Sequence, residues 1–351
     1  MNEFVPVAIT LATGAVGAFL FYVIGAPAAF LTGSAIAITI AVAAGLPTAM
    51  PNGLRQPAFA ILGVMMGAGV QPDSLAALTK VPVALVGLAL TVAGATFASY
   101  YVMRRFGRWD RVTALCGSIP GALQVTLAVA FDSGARMERV VIAQAQRLII
   151  LVVLVPVLFG GSDAPAVRAI SPPGGTLWDV LFSVAIAIGS AVVGNWLRIP
   201  SATMVAPLCV AAVLSGSGLV TFDVPWWLSG AAFIVLGGSV ATRFSGVKRA
   251  EVLPILTLSL GAFAAAFMVT LVIAIGFSAL VDESIGTLFV SYSPGGADAM
   301  IALAFLLHYD VAFVAVLHVT RLIFLSVTAP VVLARLVRRN PTRDNYGPET
   351  G

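Results

Sequence analysis

Apolar runs of about twenty residues follow one another along almost the whole chain, and short polar or Gly/Pro-rich stretches separate them. Such runs with few charges are typical of transmembrane helices, because about 20 residues are needed to cross a bilayer. The runs predict helices over 5–24, 27–45, 57–70, 81–102, 137–159, 178–197, 201–215, 227–242, 252–280 and 311–334. We therefore expect an all-α polytopic membrane protein, whose first partner is the lipid bilayer.

The composition agrees with this pattern. Of the 351 residues, 60% are apolar and 10% are charged, whereas a soluble protein carries roughly 25% charged residues. The net charge of +4 comes from arginines between the predicted helices, where the positive-inside rule places them, so it does not indicate a nucleic-acid partner. The sequence contains no P-loop motif, which argues against an ATP-driven pump of its own.

One pattern occurs twice, 174 positions apart. Residues 120–156, "PGALQVTLAVAF…AQAQRLIILVVLVP", align with 294–330, "PGGADAMIALAF…LHVTRLIFLSVTAP". The matched positions include Pro120 with Pro294, Gly121 with Gly295, Arg147 with Arg321 and Pro156 with Pro330. A repeat of this kind predicts two homologous halves, 1–159 and 178–340. A linker over 160–177 would join them, and a polar tail over 341–351 would follow.

Loop charges suggest how the halves are related. The loop 103–111 is rich in arginine, whereas its counterpart near 280–285 carries Asp282 and Glu283. Alternation of this kind is typical of halves that cross the membrane in opposite directions. Inverted repeats require an odd number of crossings, so we expect five crossings and one broken element in each half. The broken elements are 112–131 and 285–307, as re-entrant hairpins or as discontinuous helices.

The same charges predict an orientation. Basic loops stay on the cytoplasmic side, so we expect loop 103–111 and the C-terminus to face the cytoplasm of a bacterial inner membrane. Whether the chain forms a homo-oligomer stays open.

A Pro-Gly pair interrupts each broken element. Irregular backbone at membrane depth is tolerated where it lines a cavity, and the free N–H groups of a helix start favour anions. Candidate binding residues are therefore Pro120 and Gly121 in the first half and Pro294, Gly295 and Gly296 in the second.

Polar residues at matched positions add to these candidates. Arg147 and Arg321 fall in the middle of apolar helices, where an arginine costs at least ~2.5 kcal/mol and usually faces a cavity or a partner. The alternative is that each arginine only ties helices together through backbone carbonyls. Asp298 could pair with an arginine, take up a proton or bind a cation. The further candidates are Gln144, its counterpart His318, and Gln124, the counterpart of Asp298.

With these repeated motifs the chain resembles the AbrB family of integral membrane proteins, which is also labelled ammonia monooxygenase. The resemblance covers nearly the whole chain, although Ala122 stands where the second copy has Gly296. The oxygenase label implies copper or iron, but the two histidines, His308 and His318, and the two cysteines lack the spacing of a ligand cluster. We therefore expect neither enzymatic activity nor a metal cofactor.

The family name also implies a link to gene expression. No soluble domain or helix-turn-helix signal is present, so we do not expect direct binding to DNA. The sequence favours a secondary transporter of a small polar, anionic solute, with H⁺ or Na⁺ as a potential coupling ion. The alternative is a membrane-embedded sensor that influences gene expression indirectly.

Overall fold

The computed structural model describes residues 4–70, 78–120, 126, 130–131, 134–160, 177–218, 220, 222, 224–244 and 249–338. Within these ranges the chain forms thirteen α-helices and no strand. The helices before the linker are α1 Phe4–Val23, α2 Ala29–Ala44, α3 Asn52–Ala68, α4 Val81–Arg105, α5 Arg111–Ser118 and α6 Met137–Phe159. Those after it are α7 Leu177–Trp196, α8 Ala202–Gly216, α9 Trp226–Ala241, α10 Arg249–Val281, α11 Ile285–Tyr292, α12 Ala297–Leu306 and α13 Val311–Arg338. Short 3₁₀ turns lie at Leu78–Lys80 and Thr242–Phe244.

Seven of these helices, α1, α4, α6, α7, α9, α10 and α13, contain a stretch long and apolar enough to cross a membrane. Large apolar side chains on α1 and α7 face outward, among them Phe19 and Trp178. An apolar exterior suits lipid, because lipid tails are as apolar as these side chains. The prediction of an all-α polytopic membrane protein is confirmed.

The predicted helix bounds agree with the structure to within a few residues, with one clear exception. The helix expected over 57–70 begins at Asn52, so Pro57 lies inside it rather than at its start. A proline there leaves the carbonyl four residues earlier without its helical partner. That residue is Gly53, which is exposed, so its carbonyl is not left buried without a partner.

The helices form two bundles. The first bundle consists of α1, α2, α3, α7, α8 and α9, and the second of α4, α5, α6 and α10 to α13. Glycines allow the closest approaches in the first bundle, since Gly63 and Gly67 of α3 lie against the backbone of Met204 and Leu208 in α8. Each bundle therefore takes helices from before and after the linker.

Helices α4 and α10 run antiparallel through the second bundle. Lys80, just before α4, forms an ion pair with Glu283, just after α10, at 3.1 Å. At the other end Gly107, after α4, lies against Leu258, early in α10. Since α4 has 25 residues, or about 37 Å at 1.5 Å per residue, the loop 106–110 and the loop 282–284 lie at opposite ends of the molecule.

Both broken elements return to the end from which they start. In the first, the Thr113 hydroxyl accepts a hydrogen bond from the Arg136 backbone N–H at 2.9 Å. In the second, Gly286 lies against the Tyr309 side chain. The second element, 285–307, is therefore a hairpin rather than a discontinuous helix. Part of the first, 112–131, lies outside the described residues, and the contact above brings the residues on its two sides together. The two elements enter from opposite ends, which is what inverted repeats require, although the repeat itself stays a prediction.

Candidate functional site

The second break separates α11 from α12 and is held by a buried arginine. Arg321, 1% exposed, comes from the middle of α13 and donates to the carbonyls of Ser293 and, at 2.7 Å, Gly295. It also contacts Nδ1 of His318 at 2.9 Å. A guanidinium can only donate, so Nδ1 accepts, and Nε2 of His318 donates to the Val290 carbonyl at 3.0 Å.

The first break carries the same arrangement with fewer contacts. Arg147 donates to the carbonyl of Ile119 at 3.1 Å and weakly to that of Ser118 at 3.4 Å. Gln144 donates to the Cys116 carbonyl at 2.9 Å, which is the position matched to Val290. The sequence left open whether each arginine bonds to backbone carbonyls and so links helices. Such hydrogen bonds are present at both breaks.

A cavity of about 690 Å³ lies where the two bundles meet, on the Arg147 side. Its polar lining from the first bundle comprises Arg55, Gln56, Asn195, Ser201, Thr203, Ser239 and Arg243. The second bundle contributes Gln144, Arg147, Pro294, Gly296, Asp298 and Ser326. The cavity therefore lies between Arg147 of the first half and the Pro-Gly break at 294–296 of the second half.

Asp298 is the acidic group of this cavity. It lies in the first turn of α12, and the Ser201 hydroxyl lies close enough to its carboxylate to favour the ionised form. The guanidinium groups of Arg243 and Arg55 lie close enough to attract it. Because Asp298 belongs to the second bundle and its three partners to the first, these interactions cross the interface.

Arg147 lines the cavity although it is largely buried. Its side chain is 6% exposed and is among the residues that line the cavity. Its Nε is buried without a hydrogen-bond partner among the described residues, and so is the Nε of Arg321, which does not line the cavity. The unpaired Nε is therefore common to the two repeated arginines, whereas only Arg147 brings its charge to the cavity.

The predicted site residues therefore fall into three groups. Lining the cavity are Arg147, Gln144, Pro294, Gly296 and Asp298. Buried behind it, and not lining it, are Arg321, His318, Gly295 and Pro120. Gly121 and Gln124 lie outside the described residues.

Sequence reasoning missed Arg55, Ser201 and Arg243. Both arginines stand beside a helix end, where an arginine looks like an ordinary loop charge under the positive-inside rule. The packing of α3 and α9 in the first bundle turns them toward Asp298 instead. A signal was present in the repeat, because the position matched to Arg243 is Gly69, so this charge belongs to one half alone.

Several polar positions of the lining have no polar counterpart in the repeat. Ser239 and Ser326 line the cavity, whereas the positions 174 residues earlier are Met65 and Val152. The two breaks therefore do not have equivalent surroundings in the sequence.

The cavity is open at one end of the molecule. Gln56 and Asn195, which line it, are exposed. Phe244, the residue after Arg243, packs in a cluster with Met103 and Trp109. The mouth therefore lies at the end that carries the loop 106–110.

Within the described ranges, no group of three or more His, Cys, Asp or Glu side chains lies close enough together to hold a metal ion. The expectation of a protein without a metal cofactor stays a prediction.

Comparison with known proteins gives a family and two relatives. The model of the family described as "Transition state regulatory protein AbrB" matches residues 30–337. A protein of Escherichia coli (strain K12) named "Putative regulator AbrB" is 27% identical over 333 residues, 92% of this chain and 94% of that protein. The "Uncharacterized protein YhjN" of Bacillus subtilis (strain 168) is 26% identical over 256 residues, 66% of this chain and 65% of that protein.

Proposed function

The chain belongs to the AbrB family, and from this premise we propose that it is a secondary transporter of a small anionic solute in the bacterial cytoplasmic membrane. The observation that carries the proposal is the cavity between the bundles, which is lined by Arg55, Arg147 and Arg243 and by one carboxylate, that of Asp298. A volume of about 690 Å³ suits a small organic molecule.

The charges of the cavity favour an anion. Three guanidinium groups against the Asp298 carboxylate leave a positive surplus, and the start of α12 adds the positive end of a helix dipole. Guanidinium groups bind carboxylates through paired hydrogen bonds.

The two-bundle arrangement supports transport. Secondary transporters with inverted repeats place the solute at the interface and move one bundle against the other. We propose that the halves 1–159 and 178–340 are such repeats, joined by the linker 160–177 and followed by the tail 341–351. We also propose that the end carrying the basic loop 106–110 is cytoplasmic, so that the cavity in this structure opens to the cytoplasm.

A membrane sensor is the second candidate, and one observation favours it. The E. coli relative is named as a regulator, and a sensor would also need a solute site. Binding is common to both candidates, whereas only a transporter carries the solute across a membrane.

Binding is tested by thermal denaturation of the purified protein with a panel of short carboxylates, sulfonates, amines and neutral amides. A ligand of the folded state raises the melting temperature, and we expect anions alone to do so. Arg147→Met and Arg243→Gln remove the effect, while Arg139→Met, outside the cavity, retains it. Stabilisation by amines or amides, with no response to anions, would contradict the proposal.

A further inference from the structure

Asp298 lines the same cavity as the cationic groups that an anionic solute needs, and its negative charge attracts them. Resting on the proposed function, we infer that Asp298 is the proton-coupling group of the transporter: when it takes up a proton, its charge no longer competes with the solute for Arg55 and Arg243, so that one proton accompanies each anion.

The surroundings of Asp298 support this exchange. The groups that face it are Arg55 from α3, Arg243 after α9 and the Ser201 hydroxyl at the start of α8, with Arg147 of α6 in the same cavity. His318 of α13 is already bound to Arg321 and Val290. Of the described residues that line the cavity, Asp298 is the sole acid.

An anionic solute and the ionised Asp298 compete for the same cations in this geometry. A solute carboxylate that binds Arg55 and Arg243 meets the ionised Asp298 at the same cations, and two carboxylates sharing one site repel each other. A proton from water at the open mouth neutralises Asp298 and removes that repulsion. The neutral acid keeps its place beside Ser201, and the guanidinium groups then bind the solute.

The same geometry favours H⁺ over Na⁺ as the coupling ion. A metal cation near Asp298 would lie beside the positive charges of Arg55 and Arg243, which repel it, whereas a proton on the carboxylate is accommodated as an O–H bond. In the sequence the position matched to Asp298 is Gln124, an amide that does not titrate. One coupling carboxylate, and so one proton per anion, is expected.

The test measures the dissociation constants of methanesulfonate and acetate for the purified full-length protein across a range of pH. Methanesulfonate stays ionised throughout, so any dependence on pH belongs to the protein. In the wild type the affinity rises with falling pH, up to about tenfold per pH unit where Asp298 is ionised before binding. Asp298→Asn binds independently of pH, as tightly as the wild type at low pH. Asp310→Asn, a helix-cap change outside the cavity, keeps the wild-type dependence.

A second variant keeps the inference testable if Asp298→Asn does not fold. Ser201→Ala removes a nearby hydroxyl that favours the ionised carboxylate, so the midpoint of the pH dependence moves to higher pH; an unchanged midpoint counts against the inference. Anion binding with a pH dependence that survives in Asp298→Asn overturns proton coupling alone. Failure of both anions to bind the wild type at every pH overturns the proposed function with it.

Discussion

The two repeated arginines should differ in what they do, and replacement of each by methionine separates them. Arg321 donates to two buried carbonyls and to His318, and it does not line the cavity. Arg147 makes one good and one long contact and faces the cavity. We expect Arg321→Met to act mainly on stability and Arg147→Met mainly on anion binding.

The contacts give the magnitudes. A buried polar group that loses its partner costs about 1–3 kcal/mol, so the carbonyls of Ser293 and Gly295 together make Arg321→Met destabilising by about 2–6 kcal/mol. Arg147→Met leaves one well-bonded carbonyl, that of Ile119, and so costs about 1–3 kcal/mol. Both variants gain similarly from the removal of a buried charge, so the difference between them is better determined than either value.

The assay is thermal denaturation of the detergent-solubilised protein, followed by size-exclusion chromatography. At about 2 °C per kcal/mol for a large domain, the difference of about 1–3 kcal/mol means that Arg321→Met should lower the apparent Tm by about 2–6 °C more than Arg147→Met. Arg139→Met, which loses a contact with the Trp109 ring, is the matched control and should cost about 0.5–1 kcal/mol. Equal loss of stability in Arg147→Met and Arg321→Met, with anion binding retained in Arg147→Met, would refute the division of roles.

Further predictions concern helix ends, packing and topology. Replacement of the N-cap residues Asp110 or Ser284 by alanine should each cost about 1 kcal/mol, measured as a lower Tm, and two unchanged melting temperatures would contradict the capping seen here. Gly67→Val should abolish the folded yield in chromatography, because its side chain would meet the α8 backbone; a monodisperse peak at wild-type yield would contradict that packing. Single cysteines in the loops 106–110 and 282–284, in a cysteine-free background, should react with a membrane-impermeant maleimide from opposite sides of the membrane, and labelling from one side would contradict the antiparallel pair.

Much of the fold could be predicted because apolar runs in a membrane protein must become helices. The interruptions at Pro120 and Pro294 could be predicted equally well, since a Pro-Gly pair inside an apolar run disfavours a continuous helix. The start of α3 was not, because Pro57 looks like a first-turn residue, whereas the helix begins at Asn52.

The site was predicted only in part, for a physical reason. Arg147, Gln144 and Asp298 stood out because a polar residue deep in an apolar helix needs a partner. Arg55 and Arg243 lie at helix ends, where a charged side chain has little energetic cost. Their role depends on how the first bundle packs against the second. That packing brings Asp298 together with Arg243, 55 positions earlier, and with Arg55, 243 positions earlier, which no local pattern in the sequence reveals.

The most direct test of the central claim is counterflow in proteoliposomes. Vesicles loaded with the unlabelled anion that binds most tightly are diluted into the labelled anion, and the label inside is measured over time. We expect transient accumulation with the wild type and none with Arg243→Gln. Asp298→Asn should still exchange anion for anion but should fail to accumulate it under an imposed pH gradient. Tight binding to the wild type without any entry of label would contradict transport and leave a membrane sensor as the function.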